Sequence, residues 1–187
     1  MNNVKESRVN RGTYVNQDRV KRAIRYALVP VAAVLLTGGT LQAADREGTS
    51  GPDTLTGTER ADDIRGRGGD DILSGLGGID RIEGDSGNDT IDGGPGGTAD
   101  RAERLDGGSG NDTISGGDGV DEIRGRIGDD TMSGDGGNDE IDASDAGIDA
   151  AEDTGVDTVD CGDGIDTVRF DAGVDVISAN CENQDPK

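Results

Sequence analysis

The chain has 187 residues, 40 of them acidic and 18 basic, with no His, no Trp, and only Phe170, Tyr14 and Tyr26 as aromatics. That length suits one domain, but with so few aromatics a conventional globular core is not expected. The acidity excludes phosphate backbones and anionic membrane surfaces as partners, and the missing His excludes Ser-His-Asp and Cys-His catalysis and imidazole ligation of zinc. What remains is a chain rich in carboxylates and in Gly, 34 in all. Such a chain stays disordered unless something offsets the entropy cost of ordering it.

In chain order, the first expected element is an export signal over residues 1–44. Lys21, Arg22 and Arg25 precede an apolar run from Ala27 to Leu36, and Leu41-Gln42-Ala43-Ala44 supplies a small-residue cleavage site near Ala43 or Ala44. The run is too short to span a membrane, which takes about 20 apolar residues. Removal of residues 1–44 takes away two acids and seven bases, leaving 38 acids, 11 bases and a net charge of −27.

From Gly48 onward the chain divides into nonads. Residues 48–92 read GTSGPDTLT, GTERADDIR, GRGGDDILS, GLGGIDRIE and GDSGNDTID. Gly93-Gly94-Pro95-Gly96-Gly97 stands outside this frame, which resumes with TADRAERLD and continues through GGSGNDTIS, GGDGVDEIR, GRIGDDTMS and GDGGNDEID. The nonad from Ala143 to Ala151 keeps the length and loses the pattern, which returns in EDTGVDTVD, CGDGIDTVR and FDAGVDVIS up to Ser178. Position 6 is Asp at Asp53, Asp62, Asp71, Asp80, Asp89, Asp112, Asp121, Asp130, Asp139, Asp157, Asp166 and Asp175, and Glu at Glu103. Position 8 is aliphatic in each of these units, from Leu55 to Ile177, or Met at Met132. A flexible Gly/Asp linker has no reason to hold that spacing. EF-hands are excluded because their loop spacing and flanking helices are absent.

These nonads, GGSGNDTIS and GGDGVDEIR above all, resemble the RTX, or hemolysin-type, calcium-binding repeat, over Gly48 to Ser178. The resemblance implies an all-β fold, a right-handed parallel β-roll that binds several Ca²⁺ ions through position-6 carboxylates and turn carbonyls. The residues themselves agree. Gly-rich positions 1 to 5 form a tight turn, position 6 adds a carboxylate, and positions 7 to 9 form a short strand with one inward side chain. Two nonads make a turn, so units 18 residues apart stack. One edge is expected to hold Asp53, Asp71, Asp89, Asp112 and Asp130, with Asp166 beyond the degenerate unit. The other is expected to hold Asp62, Asp80, Glu103, Asp121, Asp139, Asp157 and Asp175, if residues 93–97 bulge out without changing parity. Asp or Asn at position 5 is read as turn-favouring.

The roll is expected over residues 45–178, with a tail at 179–187. Cys161 and Cys181, two cysteines in an exported chain, read as a disulfide, with two free thiols as the other reading. No enzymatic activity is expected: there is no His, and the repeats follow the cleavage site without room for another domain. The expected function is Ca²⁺ binding by a secreted module that folds on the ion, with no nucleic-acid partner and no membrane span in the mature chain. The alternative is an extracellular structural or adhesive scaffold with a protein or glycan partner. Positions 7 and 9, read in order along the chain, mix Thr, Ser, Asp, Glu and Arg with no regular patch.

Overall fold

A computed structural model describes residues 43–99, 101–144, 155–172 and 174–187. The expected export signal therefore lies outside the described residues, apart from Ala43 and Ala44. The described part is all-β. Eight parallel strands, from Asp45–Glu47 to Asn183–Pro186, form one sheet, and seven parallel strands, from Thr54–Thr58 to Val176–Ile177, form a second. A third sheet joins the two-residue segments Asp118–Gly119, Gly136–Gly137 and Asp163–Gly164. Successive nonads alternate between the two large sheets, as a parallel β-roll requires.

Position 8 builds the core. Leu55 stacks on Leu73 and Ile91 in the seven-stranded sheet, while Ile64 stacks on Ile82 and Leu105 in the other. Position-8 residues from Ile64 to Val168 are buried, and Leu55 and Ile177 pack at the two ends. Each stabilises the roll by roughly 1.5–3 kcal/mol. One such side chain per nonad is a thin core for so many ordered glycines.

The structure places both irregular segments differently from the expectation. Gly93 to Gly96 remain in the stack: the Gly93 N–H donates to Ser115 O (3.0 Å) and the Gly96 N–H to Asp118 O (2.8 Å). The five extra residues lie instead between Gly96 and Glu103, where Thr98 and Arg101 close an antiparallel bridge. Gly-Gly-Pro-Gly still serves positions 1 to 4 of a turn, with Gly94 at φ 93° in the left-handed conformation of position 2. Parity is unchanged, since Ile82 pairs with Leu105.

The degenerate nonad does change parity. Met132 pairs with Val159 and Ile141 with Val168, steps of 27 residues where 18 is the rule. Each step is nine residues longer than the rule, and within the segment between Ala143 and Gly155 residues 145–154 lie outside the described residues. A physical reason is legible there: in the nonad frame Ile148 would put an apolar chain into the carboxylate ladder, and Ala150 would underfill the core.

The stack also runs past Ser178. Asn183–Pro186 pairs with Thr167–Phe170, opposing Pro186 to the partly buried Phe170, and Pro186 blunts the sheet edge. A disulfide joins Cys161 to Cys181, with Cα atoms 5.2 Å apart.

Alternation sorts the outward positions into two unlike faces, which corrects the expectation of no regular patch. The eight-stranded sheet carries Arg65–Glu83, Arg81–Asp63, Arg104–Glu122, Arg126–Asp106 and Arg169–Glu140 ion pairs. These pairs are partly exposed, worth about 0–1 kcal/mol each. The seven-stranded sheet instead stacks Thr54, Ile72, Thr90, Thr113, Thr131, Thr158 and Val176 in register at position 7, with Thr56, Ser74, Asp92, Ser115, Ser133 and Asp160 at position 9.

Candidate metal centre

The turn follows from local chemistry. In most of the inner turns positions 2 and 4 adopt positive φ, as at Gly108 (112°) and Gly110 (120°), whereas in the first turn Gly51 at position 4 does not. Position 2 is held there even when it is not Gly, at Arg67, Leu76, Asp85, Arg126 and Asp135, at a cost of roughly 1–2 kcal/mol each. Position 1 is Gly for another reason, close approach. A Cβ on Gly116 would stand 2.6 Å from Asp121 Oδ2 and 2.8 Å from the carbonyl oxygen of Gly134 in the next turn. The space beside the position-1 glycines, Gly125 apart, is thus faced by a carboxylate oxygen and a backbone carbonyl oxygen.

The position-6 side chains form two ladders. In the first, the backbone N–H of each residue donates to Oδ1 of the next: Asp53 to Asp71 (2.7 Å), Asp71 to Asp89, Asp89 to Asp112, Asp112 to Asp130 and Asp130 to Asp157 (2.8 Å each), and Asp157 to Asp175 (3.1 Å). In the second, Asp62 donates to Asp80 (2.7 Å), Asp80 to Glu103 Oε1 (3.2 Å), Asp121 to Asp139 (3.0 Å), Asp139 to Asp166 (2.9 Å) and Asp166 to Glu182 (3.0 Å). All twelve expected aspartates therefore lie on the two ladders. Asp157 and Asp175 fall on the Asp53 edge and Asp166 on the Asp62 edge, the reverse of the expected placement, because of the 27-residue step. Glu182 was not legible as a ladder member, since no aliphatic residue follows two positions on.

The other carboxylate oxygen is the informative one. In Asp71, Asp80, Asp89, Glu103, Asp112, Asp139 and Asp166 it is buried without a hydrogen-bond partner, and in Asp121 both oxygens are. Each such atom costs about 1–3 kcal/mol or more. Burial drives these acids upward from the ordinary carboxylate range: Glu103 to about 8, Asp112, Asp121 and Asp139 to about 7, Asp80 to about 6. Asp71, Asp89 and Asp166 shift the same way for the same reason. At the ends the chain satisfies its own oxygens. Thr49 N–H donates to Asp53 Oδ2 (2.6 Å), Thr58 N–H to Asp62 Oδ2 (2.5 Å) and Asp171 N–H to Asp175 Oδ2 (2.7 Å).

A row of bare, buried anionic oxygens beside turn carbonyls fits a hard cation with many oxygen ligands. Among the described residues no three acidic, His or Cys side chains converge on one point, so backbone carbonyls must supply the balance. Ca²⁺ accepts carbonyl oxygen readily in flexible geometry. Four copies of the RTX calcium-binding nonapeptide repeat match the sequence, at residues 47–82, 74–97, 99–132 and 106–141. The chain belongs to the RTX calcium-binding nonapeptide repeat family. Such repeats bind multiple Ca²⁺ ions in a structural, non-catalytic role. Comparison with curated proteins finds no match. Among the described residues no helix is long and apolar enough to cross a membrane.

One feature of the RTX turns was read as local and proves to act between turns. Position-5 Asx side chains form an outer ladder. Asp70 Oδ1 accepts the Asn88 N–H (2.9 Å), Asn88 that of Asn111 (2.8 Å), Asn111 that of Asp129 (3.2 Å) and Asp129 that of Val156 (2.9 Å). Recurrence of Asp and Asn every second nonad was the available signal.

Proposed function

We propose that this chain is an exported Ca²⁺-binding β-roll, without catalytic activity, whose folding is coupled to ion binding. The observation that carries the reading is the pair of carboxylate ladders with buried, unpartnered oxygens facing Gly slots and carbonyls. A bound Ca²⁺ would supply positive charge between turns. Its ligands would come from Asp53, Asp62, Asp71, Asp80, Asp89, Asp112, Asp121, Asp130, Asp139, Asp157, Asp166 and Asp175, with Glu103 and the turn carbonyls. Binding is weakest at Asp53, Asp62 and Asp175, where backbone N–H groups already serve the second oxygen. Since the thin core does not offset stacked carboxylates, binding energy becomes folding energy. Millimolar extracellular Ca²⁺ would fold the protein, and low cytosolic Ca²⁺ would leave it unfolded, as suits export.

Flow dialysis of the mature chain tests the reading: several Ca²⁺ ions per chain are expected, and none or one would sink it. Export is tested by N-terminal sequencing of protein from the medium. Ala44 or Asp45 is the expected first residue, from cleavage after Ala43 or Ala44.

The scaffold reading gains support from the hydroxyl face, where charges are almost absent while the opposite face carries the ion pairs. Charge substitutions there, such as Thr113→Lys with Thr131→Lys, should abolish partner capture and leave Ca²⁺ binding intact if that reading holds.

A further inference from the structure

Glu103 breaks the regular ladder, and the break leaves both carboxylate oxygens of one buried residue, Asp121, without a partner, which happens at no other position-6 residue described. Elsewhere in the second ladder a position-6 N–H donates to a carboxylate oxygen of the next turn. The Glu103 N–H instead donates to the carbonyl of Val120 (3.1 Å). The cause is the insertion. Six residues separate Gly96 from Glu103, where one residue separates Gly78 from Asp80, so the chain re-enters the stack from the Thr98–Arg101 bridge along a different path.

The consequence falls on Asp121, which stacks directly against Glu103. The Asp121 Oδ1 that would have accepted the Glu103 N–H has no partner, and neither has Asp121 Oδ2 or Glu103 Oε2. Both residues are essentially inaccessible, at 1% and 0% exposure. Backbone oxygen is close at hand: a Cβ on Gly93 would stand 2.8 Å from Glu103 Oε2 and would also strike the Gly116 carbonyl. Regular neighbours such as Asp71 and Asp89 carry one bare oxygen each, the other accepting an N–H.

We propose that Glu103 and Asp121 form a distinct Ca²⁺ site, made by the insertion, that is the tightest in the array and fills first. This rests on the reading of the ladders as Ca²⁺ ligands and adds which member leads. Affinity rises with the number of charged oxygens a site offers, and here three buried carboxylate oxygens have no other partner. Glu succeeds at this one position because its longer side chain spans the displaced backbone, still accepting the Asp80 N–H through Oε1 at 3.2 Å. The insertion therefore creates a nucleation point for the ion-bound roll.

The test is a Ca²⁺ titration of the mature chain against a chromophoric chelator, with Glu103→Gln, Asp121→Asn and Asp112→Asn. Asp112 is an equally buried member of the regular ladder. The proposal expects the first ion to bind at least about tenfold more weakly in Glu103→Gln and Asp121→Asn, with a clearly smaller loss in Asp112→Asn, whose own ladder position fills later. An unaltered first step in Glu103→Gln, or an equal loss in Asp112→Asn, overturns it. No Ca²⁺ binding by the wild-type chain would defeat the underlying reading instead. A measurement on the wild type alone guards against variants that do not fold: hydrogen exchange at one Ca²⁺ per chain. Protection arising first in residues 93–125 supports the proposal, and protection arising first elsewhere refutes it.

Discussion

Gly116→Ala isolates the slot beside the position-1 glycine. The backbone there is not in the left-handed region, so Ala introduces no φ strain, only a methyl group. That methyl would sit 2.6 Å from Asp121 Oδ2 and 2.8 Å from the Gly134 carbonyl oxygen, both inside van der Waals contact. The carboxylate is buried and the carbonyl belongs to a packed turn, so neither moves freely. Overpacking of this kind costs about 1–3 kcal/mol, a shift of about 5–150-fold in the folding equilibrium at fixed Ca²⁺, and the displaced oxygens would no longer face one ion. Gly51→Ala is the control, since its Cβ would meet nothing within 4 Å. It should be neutral or stabilise by about 0.4–1 kcal/mol through the unfolded chain. Circular dichroism followed through a Ca²⁺ titration reads both variants. Equal midpoints for Gly116→Ala and Gly51→Ala would show that the position-1 slot is not where ligand oxygens gather.

Three further outcomes follow from the geometry. Buried Asp112, Asp121 and Asp139 (about 7) and Glu103 (about 8) hold protons more tightly folded than unfolded, so the metal-free roll should gain stability as pH falls from about 8 towards 4, while Ca²⁺ affinity falls. Circular dichroism in EDTA across that range checks the sign: any β signal should grow towards pH 4, and a metal-free form with more β signal at high pH would contradict it. Leu76→Gly should raise stability by about 1 kcal/mol, because Leu76 is held at φ 71°; a lower denaturant midpoint in saturating Ca²⁺ would count against strain at position 2. Reducing the Cys161–Cys181 bridge should loosen residues after about Asp160, including the Asn183–Pro186 strand, and leave 107–142 protected, because each turn contacts only its neighbours. Hydrogen exchange with reductant decides, and uniform loss along the array would argue against a local clamp.

Much of the roll was legible because two signals coincide in each nonad, Asp at position 6 and an aliphatic residue at position 8. That coincidence identified the core from Leu55 to Val168 and every ladder member except Glu182. It says nothing about whether an irregular unit stays in the stack. The 27-residue step from Met132 to Val159 and from Ile141 to Val168 decided which edge receives Asp157, Asp166 and Asp175. The two faces were hidden for a related reason: Thr113 and Glu122 are neighbours in the repeat but sit on opposite sheets, and the pattern emerges only once alternate nonads are separated. Glu182 and the last strand lack the nonad pattern and are held by pairing with Thr167–Phe170.

Coupling of folding to Ca²⁺ is the central claim, and far-UV circular dichroism of the mature chain tests it most directly, in EDTA, in millimolar Ca²⁺ and in equal Mg²⁺. The account predicts a largely disordered spectrum in EDTA and in Mg²⁺, which keeps its waters and demands octahedral geometry, and a β spectrum in Ca²⁺. The same β spectrum in all three solutions would contradict it.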